Sequence, residues 1–503
     1  MSYALLLVFL LPTLGIPFVY LTGKKSPKAA AILVALIAIA NMALVLTTVP
    51  TVLNSPNHEY IESYYWIPIL ESEFTLFVDG ISVSMAIITL VLIIAAALFS
   101  INYMEGKKNL AVYYSLLTLL SIGLVGVFIT SNLLLFYFCW ELMLVPAYFI
   151  IGGWGYRDPY RAAFKFFIFT HAGAVFVLLG IGAIYMVTGT TDMFQAQAAL
   201  MAFPDIAKWI LLALTAGFAV KMAVVPVHMW LPDAHSEAPS PMSALLSGVI
   251  ISAGAYAILR LSLATVFPAV MGTVFGSDFM HGLAIFGVIS AFFGSLIALV
   301  ETDIKRIIAY SSIAHMGYVM FGLSLFPSAT MAGTVVITAA ITGTVLHLVN
   351  HAVSKGLFFL SAGAIIHQLE VRDIREMGGL AGKMPFTAVA STTAALSIAG
   401  TPPFACFISE FLIFVGAFEV INTDGFFLLP TAFMLVATVI SLAYSLRYLS
   451  HVFLGQAKSE GEKKILDVPN YMKLAMAILV ILVIVLGIWP TFFINLINTV
   501  QFI

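Results

Sequence analysis

Apolar stretches of about twenty residues recur along this chain from end to end, and that repetition limits its fold more than any other feature. A helix needs about 20 apolar residues to cross the hydrocarbon core of a bilayer. Fourteen candidates are found, near 3–21, 28–49, 79–102, 110–129, 132–152, 161–188, 205–229, 239–263, 280–300, 303–326, 331–366, 385–420, 427–454 and 470–498. Only 9% of the 503 residues are charged and 62% are hydrophobic, whereas soluble domains carry about 25% charged residues. The chain therefore reads as an all-α polytopic membrane protein, which excludes soluble enzymes and nucleic-acid binders. The first stretch lacks a basic leader and a small-residue cleavage site, so it reads as a span that Pro12 and Pro17 interrupt rather than as a signal peptide. No low-complexity segment or long linker divides the chain, and 1–503 is expected to form one membrane domain.

The basic residues orient the spans. Eighteen of the 22 lysines and arginines fall in loops after odd-numbered spans, among them Lys24, Lys107, Arg157, Arg372, Lys458, Lys463 and Lys464. Lys208 and Arg260 follow even-numbered spans, and Lys221 and Lys355 lie within spans. Positive-inside bias then puts both termini on the outer side of the cell membrane. The loop at 54–79, with Glu59, Glu62, Glu71, Glu73 and Asp79 and no basic residue, suits that side.

Ionisable residues inside the spans need a reason, because each costs about 2.5–3.5 kcal/mol at mid-bilayer even on the lenient scale. Glu141 interrupts FYFCWELMLVPAYFI on the fifth span. It reads as an ion site or a gate, with a structural carboxylate as the alternative. Lys221 precedes Pro226 and Pro232 on the seventh, where proline should break the helix and free backbone carbonyls for water or a cation. His228, two turns on, reads equally as a relay or as a satisfied interior histidine. His347, His351 and Lys355 are spaced by four and four, which stacks them on one helical stripe about 12 Å long and suits a proton relay. Glu410 follows Pro402 and Pro403, a second proline break, on the twelfth span. His315 is a weaker candidate and His171 weaker still. Lys165, Lys305 and Arg306 sit at span ends and read as interfacial anchors.

Lys221 and Glu410, each beside a break, are five spans apart. Five is odd, so two five-span units, 110–263 and 280–454, would lie inverted with respect to each other, with helices 7 and 12 broken. That is a transporter architecture. The two cysteines, Cys139 and Cys406, cannot hold an iron–sulfur cluster or a redox CxxC pair, so no cofactor or metal is expected in this chain.

Four segments resemble the proton-conducting membrane module of respiratory complex I and its relatives, the Mrp cation/proton antiporters, membrane-bound hydrogenases and sulfane reductases. They are WELMLVPAYFIIGGWG, KMAVVPVHMWLPDAHSEAPSPMSALLSG, ETDIKRIIAYSSIAHMGY and GTPPFACFISEFLIF, and the resemblance covers about 75–455 by motif order. It implies that Glu141 and Lys221 form a gating carboxylate–lysine pair and that Glu410 is the terminal site. A glutamate there, and an end just after span fourteen, resemble the M-type (Mrp D-like) chain. In LLSGVIISAGAYAILR, Ser252 stands where the M-type chain of complex I has a lysine, and a central lysine reappears as Lys355. That departure makes a hydrogenase-like or sulfane-reductase-like complex a competing assignment.

The resemblance implies an antiporter-like subunit that moves H⁺, or exchanges it for Na⁺. Its implied partners are other antiporter-like and small membrane subunits, with iron–sulfur subunits of a redox module. The alternatives are a subunit of an Mrp-type antiporter without a redox partner and a structural spacer. Nothing marks an organic-solute site.

Overall fold

The computed structural model of the chain describes residues 3–326, 330–331, 334–335, 338–456, 465–500 and 502. Lys458, Lys463 and Lys464, and residues 332–333 and 336–337 of the predicted span 331–366, lie outside the described residues. Among the described residues, 12 helices are long and apolar enough to cross a membrane. The two predicted spans absent from that number are the two expected to be broken. Pro204–Met222 is 19 residues long but carries Asp205, Lys208 and Lys221. Pro385–Ile398 has only 14 residues before the chain leaves the helix, and Ala405–Ile421 resumes it.

The helices are arranged from a buried centre to an exposed rim. Ser240–Val270 and Ala339–Leu369 are enclosed over their whole apolar length, and Gly80–Tyr103 and Ile304–Ser324 almost so. Ala4–Lys25, Pro159–Thr188 and Gly425–Phe453 bury well under half of theirs and turn apolar side chains outward. That outward face is what lipid or another apolar chain solvates. Ser240–Val270 includes two wide π-helical stretches, Leu246–Ile250 and Ile258–Val266. At Gly254, between them, an added Cβ would stand 2.6 Å from the Met222 nitrogen. The eighth predicted span therefore crosses directly on the end of the seventh, and only glycine allows that approach.

Three expectations are corrected. The all-α reading misses a hairpin, in which Tyr60–Ile67 pairs antiparallel with Ser72–Val78 inside the acidic loop. YIESYYWI is rich in aromatic and β-branched residues, which suit a pleated, half-buried surface. The hairpin is bound to the bundle: Phe77 N donates to Ile129 O (2.9 Å). Glu62 accepts from the nitrogens of Leu5 and Leu6, both at 3.0 Å, and so caps the first helix. Next, Pro12 and Pro17 do not interrupt Ala4–Lys25, which is one helix. Proline 12 cannot bond the Val8 carbonyl, and Asn41 Nδ2 takes its place at 3.0 Å. Finally, Lys305 is no interfacial anchor. It is fully buried, donates to the Ala238 carbonyl, and lies 4.9 Å from the centre of the Tyr156 ring. Lys165 and Arg306 do sit at a partly exposed rim, where both pair with Asp233, at 2.7 and 3.1 Å.

Candidate functional site

The seventh span breaks as its prolines require. Helix Pro204–Met222 stops at Ala223, which takes φ +59°. That region disfavours L-residues by about 1–2 kcal/mol. The chain then runs irregularly past Pro226 to Leu231. Lys221 is buried in the last turn. Its Nζ donates to the Trp140 carbonyl at 3.0 Å and lies 4.0 Å from the centre of the Trp140 ring. The lysine thus reaches the fifth span one residue short of Glu141. Among the described residues no ion pair within 4 Å joins them. Glu141 Oε2 instead meets His171 Nδ1 at 3.2 Å, and Oε1 has no hydrogen-bond partner. This group faces outward, since the His171 side chain is 49% exposed and that of Glu141 25%. His228, just beyond the break, is buried with its ring edge-on to Phe293 and its Nδ1 unbonded. Among the described residues its hydrogen bond to the Pro226 backbone is its link to the break, and no ion pair within 4 Å joins it to Glu141 or Lys221.

The second half brings its candidates together. His347, His351 and Lys355 form one stripe on Ala339–Leu369, and all three are fully buried. Lys355 Nζ donates to the Ile308 carbonyl (3.2 Å) and to Ser311 Oγ, both on the tenth predicted span. His315, from that same helix, places Nδ1 3.1 Å from His347 Nε2, with the two rings stacked. The His351 ring centre is 5.6 Å from that of His315, and neither of its nitrogens has a partner among the described residues. Glu410 completes the file: its Oε1 lies 3.9 Å from His315 Nδ1. The twelfth-span break makes room for this carboxylate. At Gly400 (φ +65°) an added Cβ would stand 2.5 Å from Glu410 Oε2.

Hydrogen bonds fix the direction of part of this file. Ser409 Oγ donates to the Cys406 carbonyl (2.9 Å), so toward His347 Nδ1, at 3.0 Å, it acts as acceptor. His347 Nδ1 then carries the proton, and Nε2 offers its lone pair to His315. Tyr444 OH, which accepts from Ser441 Oγ at 3.1 Å, stands 3.5 Å from His315 Nε2.

Two further groups of buried polar residues were missed in the sequence. His235, inside the WLPDAH segment, is fully buried against Trp230 and Phe359, with Nε2 unbonded. It lies within electrostatic reach of Lys305, Lys355 and His351. Its place between two lysines on other spans leaves no mark in local spacing. Arg260 and Asp79 form a buried ion pair across 181 residues, with Tyr256 and Phe77 around the guanidinium. A basic residue in the otherwise apolar stretch ISAGAYAILR was the available signal. Ser252, where a lysine was expected, is buried and donates only to the Gly248 carbonyl.

The chain is similar to known membrane proteins in sequence and in fold. Residues 130–441 match the model of the family described as "NADH:quinone oxidoreductase/Mrp antiporter, TM". NADH-quinone oxidoreductase subunit M of Rickettsia conorii is 33% identical over 499 residues, covering 96% of this chain and 95% of that protein. Subunit M of Escherichia coli is 33% identical over 436 residues, covering 84% of this chain and 81% of that protein. Among solved structures, a chain of an archaeal membrane-bound sulfane sulfur reductase superposes with TM-score 0.84 at 27% identity, over 97% of this chain and 76% of that one. A chain of Thermus thermophilus respiratory complex I gives 0.82 at 23% identity, over 98% of both chains, a likeness of fold.

Proposed function

Because the chain belongs to the NADH:quinone oxidoreductase/Mrp antiporter membrane family, we propose that it is the M-type, ion-translocating subunit of a redox-driven membrane complex. The observation that carries this reading is the buried file Lys355–His351–His347–His315–Glu410. A spacer subunit has no use for five ionisable groups gathered in an apolar bundle, each costly to bury. The file runs between helices that the rim shields from lipid, and it ends at a carboxylate beside a helix break.

The ion is the proton. Sodium is held by carbonyl and carboxylate oxygens at unwound helices, whereas the file offers three imidazoles, one ammonium and a single carboxylate. In each transfer a nitrogen or oxygen lone pair on the next group accepts the proton, and the group that gave it up is left to be refilled. Rearrangement elsewhere in the complex acts on Glu141 and Lys221. Drawing Glu141 away from Lys221 leaves the lysine's charge unbalanced and drives a proton on toward the histidines. Such groups titrate as a coupled set rather than singly.

The two broken helices complete a fourteen-span chain, read as inverted units over 110–263 and 280–454. Both termini face the outside of the cell membrane. The partners are neighbouring antiporter-like and small membrane subunits, with iron–sulfur subunits beyond them. The half-exposed Glu141–His171 pair on an apolar face supports such a neighbour, because bare lipid would make it costly.

Two experiments test this. The Glu141→Gln complex should assemble normally and translocate about tenfold fewer protons, read in reconstituted vesicles. Normal pumping would remove the gate. Purification from the native membrane in mild detergent should bring down iron–sulfur subunits. Recovery of antiporter-like and small membrane chains alone would make it part of a secondary antiporter.

A further inference from the structure

The meeting point of the tenth, eleventh and twelfth predicted spans has a second chemical property. One atom each from His315, His347 and Glu410 converges, all three within 4.8 Å of one another. We propose that these side chains bind a divalent transition ion of the zinc class, which closes the path by occupying the junction. Binding needs only the geometry described here; the closure rests on the relay reading above.

The donor set suits such an ion. Zinc takes imidazole nitrogen at about 2.0–2.1 Å and carboxylate oxygen at about 2.0–2.2 Å, with near-tetrahedral angles. Two nitrogens on one zinc then lie about 3.3 Å apart, and those of His315 and His347 are 3.1 Å apart. The Glu410 oxygen, 3.9 Å from His315 Nδ1 and within 4.8 Å of the His347 ligand atom, must close in on both. That oxygen is buried and has no hydrogen-bond partner, so coordination satisfies an atom the protein leaves unpaired. The ligand-side tautomer of His347 is already set. Ser409 accepts from Nδ1 and leaves the Nε2 lone pair facing the junction, the supporting arrangement that metal-bound histidines use. His315 becomes a ligand when its proton moves to Nε2, where the Tyr444 hydroxyl stands as acceptor. The fourth position falls to water or to His351, whose two nitrogens are unbonded.

Selectivity follows from the same donors. Two imidazoles and one carboxylate favour zinc, copper or nickel, while magnesium and calcium prefer sites made of oxygen. Entry is by way of the break. Pro402 and Pro403 are exposed, and the Glu410 side chain retains 8% exposure beside them.

The test uses the intact purified complex, with zinc chloride as the probe and binding read at equilibrium without turnover. Zinc-edge anomalous diffraction or anomalous density should place one ion at the junction. X-ray absorption should give two imidazole nitrogens and one oxygen. His315→Gln and the near-isosteric Glu410→Gln should each lower affinity at this site by more than tenfold. Ser409→Ala, which keeps every ligand and removes only the tautomer control, should lower it about tenfold. An equal excess of magnesium should not compete. Equal zinc content in wild type and Glu410→Gln, or a junction without anomalous density, would overturn the site. Zinc bound at the junction without loss of proton transport supports the metal site and counts against the relay, so the two readings fail separately.

Discussion

The two halves of this protein treat buried charge differently. In the first, Lys221 is enclosed and bonded to a single carbonyl, while Glu141 faces outward with His171. In the second, Lys355, three histidines and Glu410 form one enclosed group. A carboxylate at the rim of an apolar face responds to whatever docks there. A file in the interior is shielded from that and responds to its own members. On the proposed function, coupling falls to the first half and conduction to the second, although both are built around a helix broken by proline.

The buried Asp79–Arg260 pair, which touches the hairpin end and the third span, serves as an architectural reference for both halves. It is buried near the hairpin, and Asp79 also caps the third span through Ser82 N at 2.9 Å. Removing one partner of a buried pair costs about 3–5 kcal/mol, because the other is left uncompensated. Asp79→Asn should therefore lower the thermal stability and yield of the complex. The Asp79→Leu, Arg260→Met double variant should recover most of both. A stable Asp79→Asn complex with failed transport would instead extend the path to the outer face.

Lys355→Met comes next in size. Proton transfer by a positioned side chain contributes about 10²–10⁴-fold, so translocation should fall at least about 100-fold while assembly persists. The loss should exceed that of Glu141→Gln by about tenfold. Equal losses in the two variants would collapse the division between coupling and conduction, and the halves would then be two equivalent channels.

What the sequence disclosed and what it hid follow the same division. The stripe of His347, His351 and Lys355 was legible because a helix turns spacing by four into adjacency. The breaks beside Lys221 and Glu410 were legible because proline acts locally. Contacts across spans were not. No local pattern says that His315 meets His347, that Glu141 chooses His171 over Lys221, or that Lys305 turns inward to the Ala238 carbonyl. Pro12 misled for the same reason, since its remedy is Asn41 on another helix. The hairpin was the exception: its aromatic and β-branched run was local, and the acidic composition of the loop drew attention from it.

The smallest effect is the most informative about the first half. His171 was the weakest candidate in the sequence, yet it holds Glu141 at 3.2 Å. With both groups partly exposed, such a pair is worth no more than about 1 kcal/mol. His171→Ala should reduce proton transport about threefold, a loss that vesicle assays resolve. Residues acting through one interaction are not additive, so His171→Ala added to Glu141→Gln should cost nothing further. An additive double variant would give His171 a task of its own, independent of the carboxylate. A His171→Ala loss as large as that of Glu141→Gln would make the imidazole a member of a relay. The first half would then conduct as the second does, with its file laid open toward the neighbouring subunit.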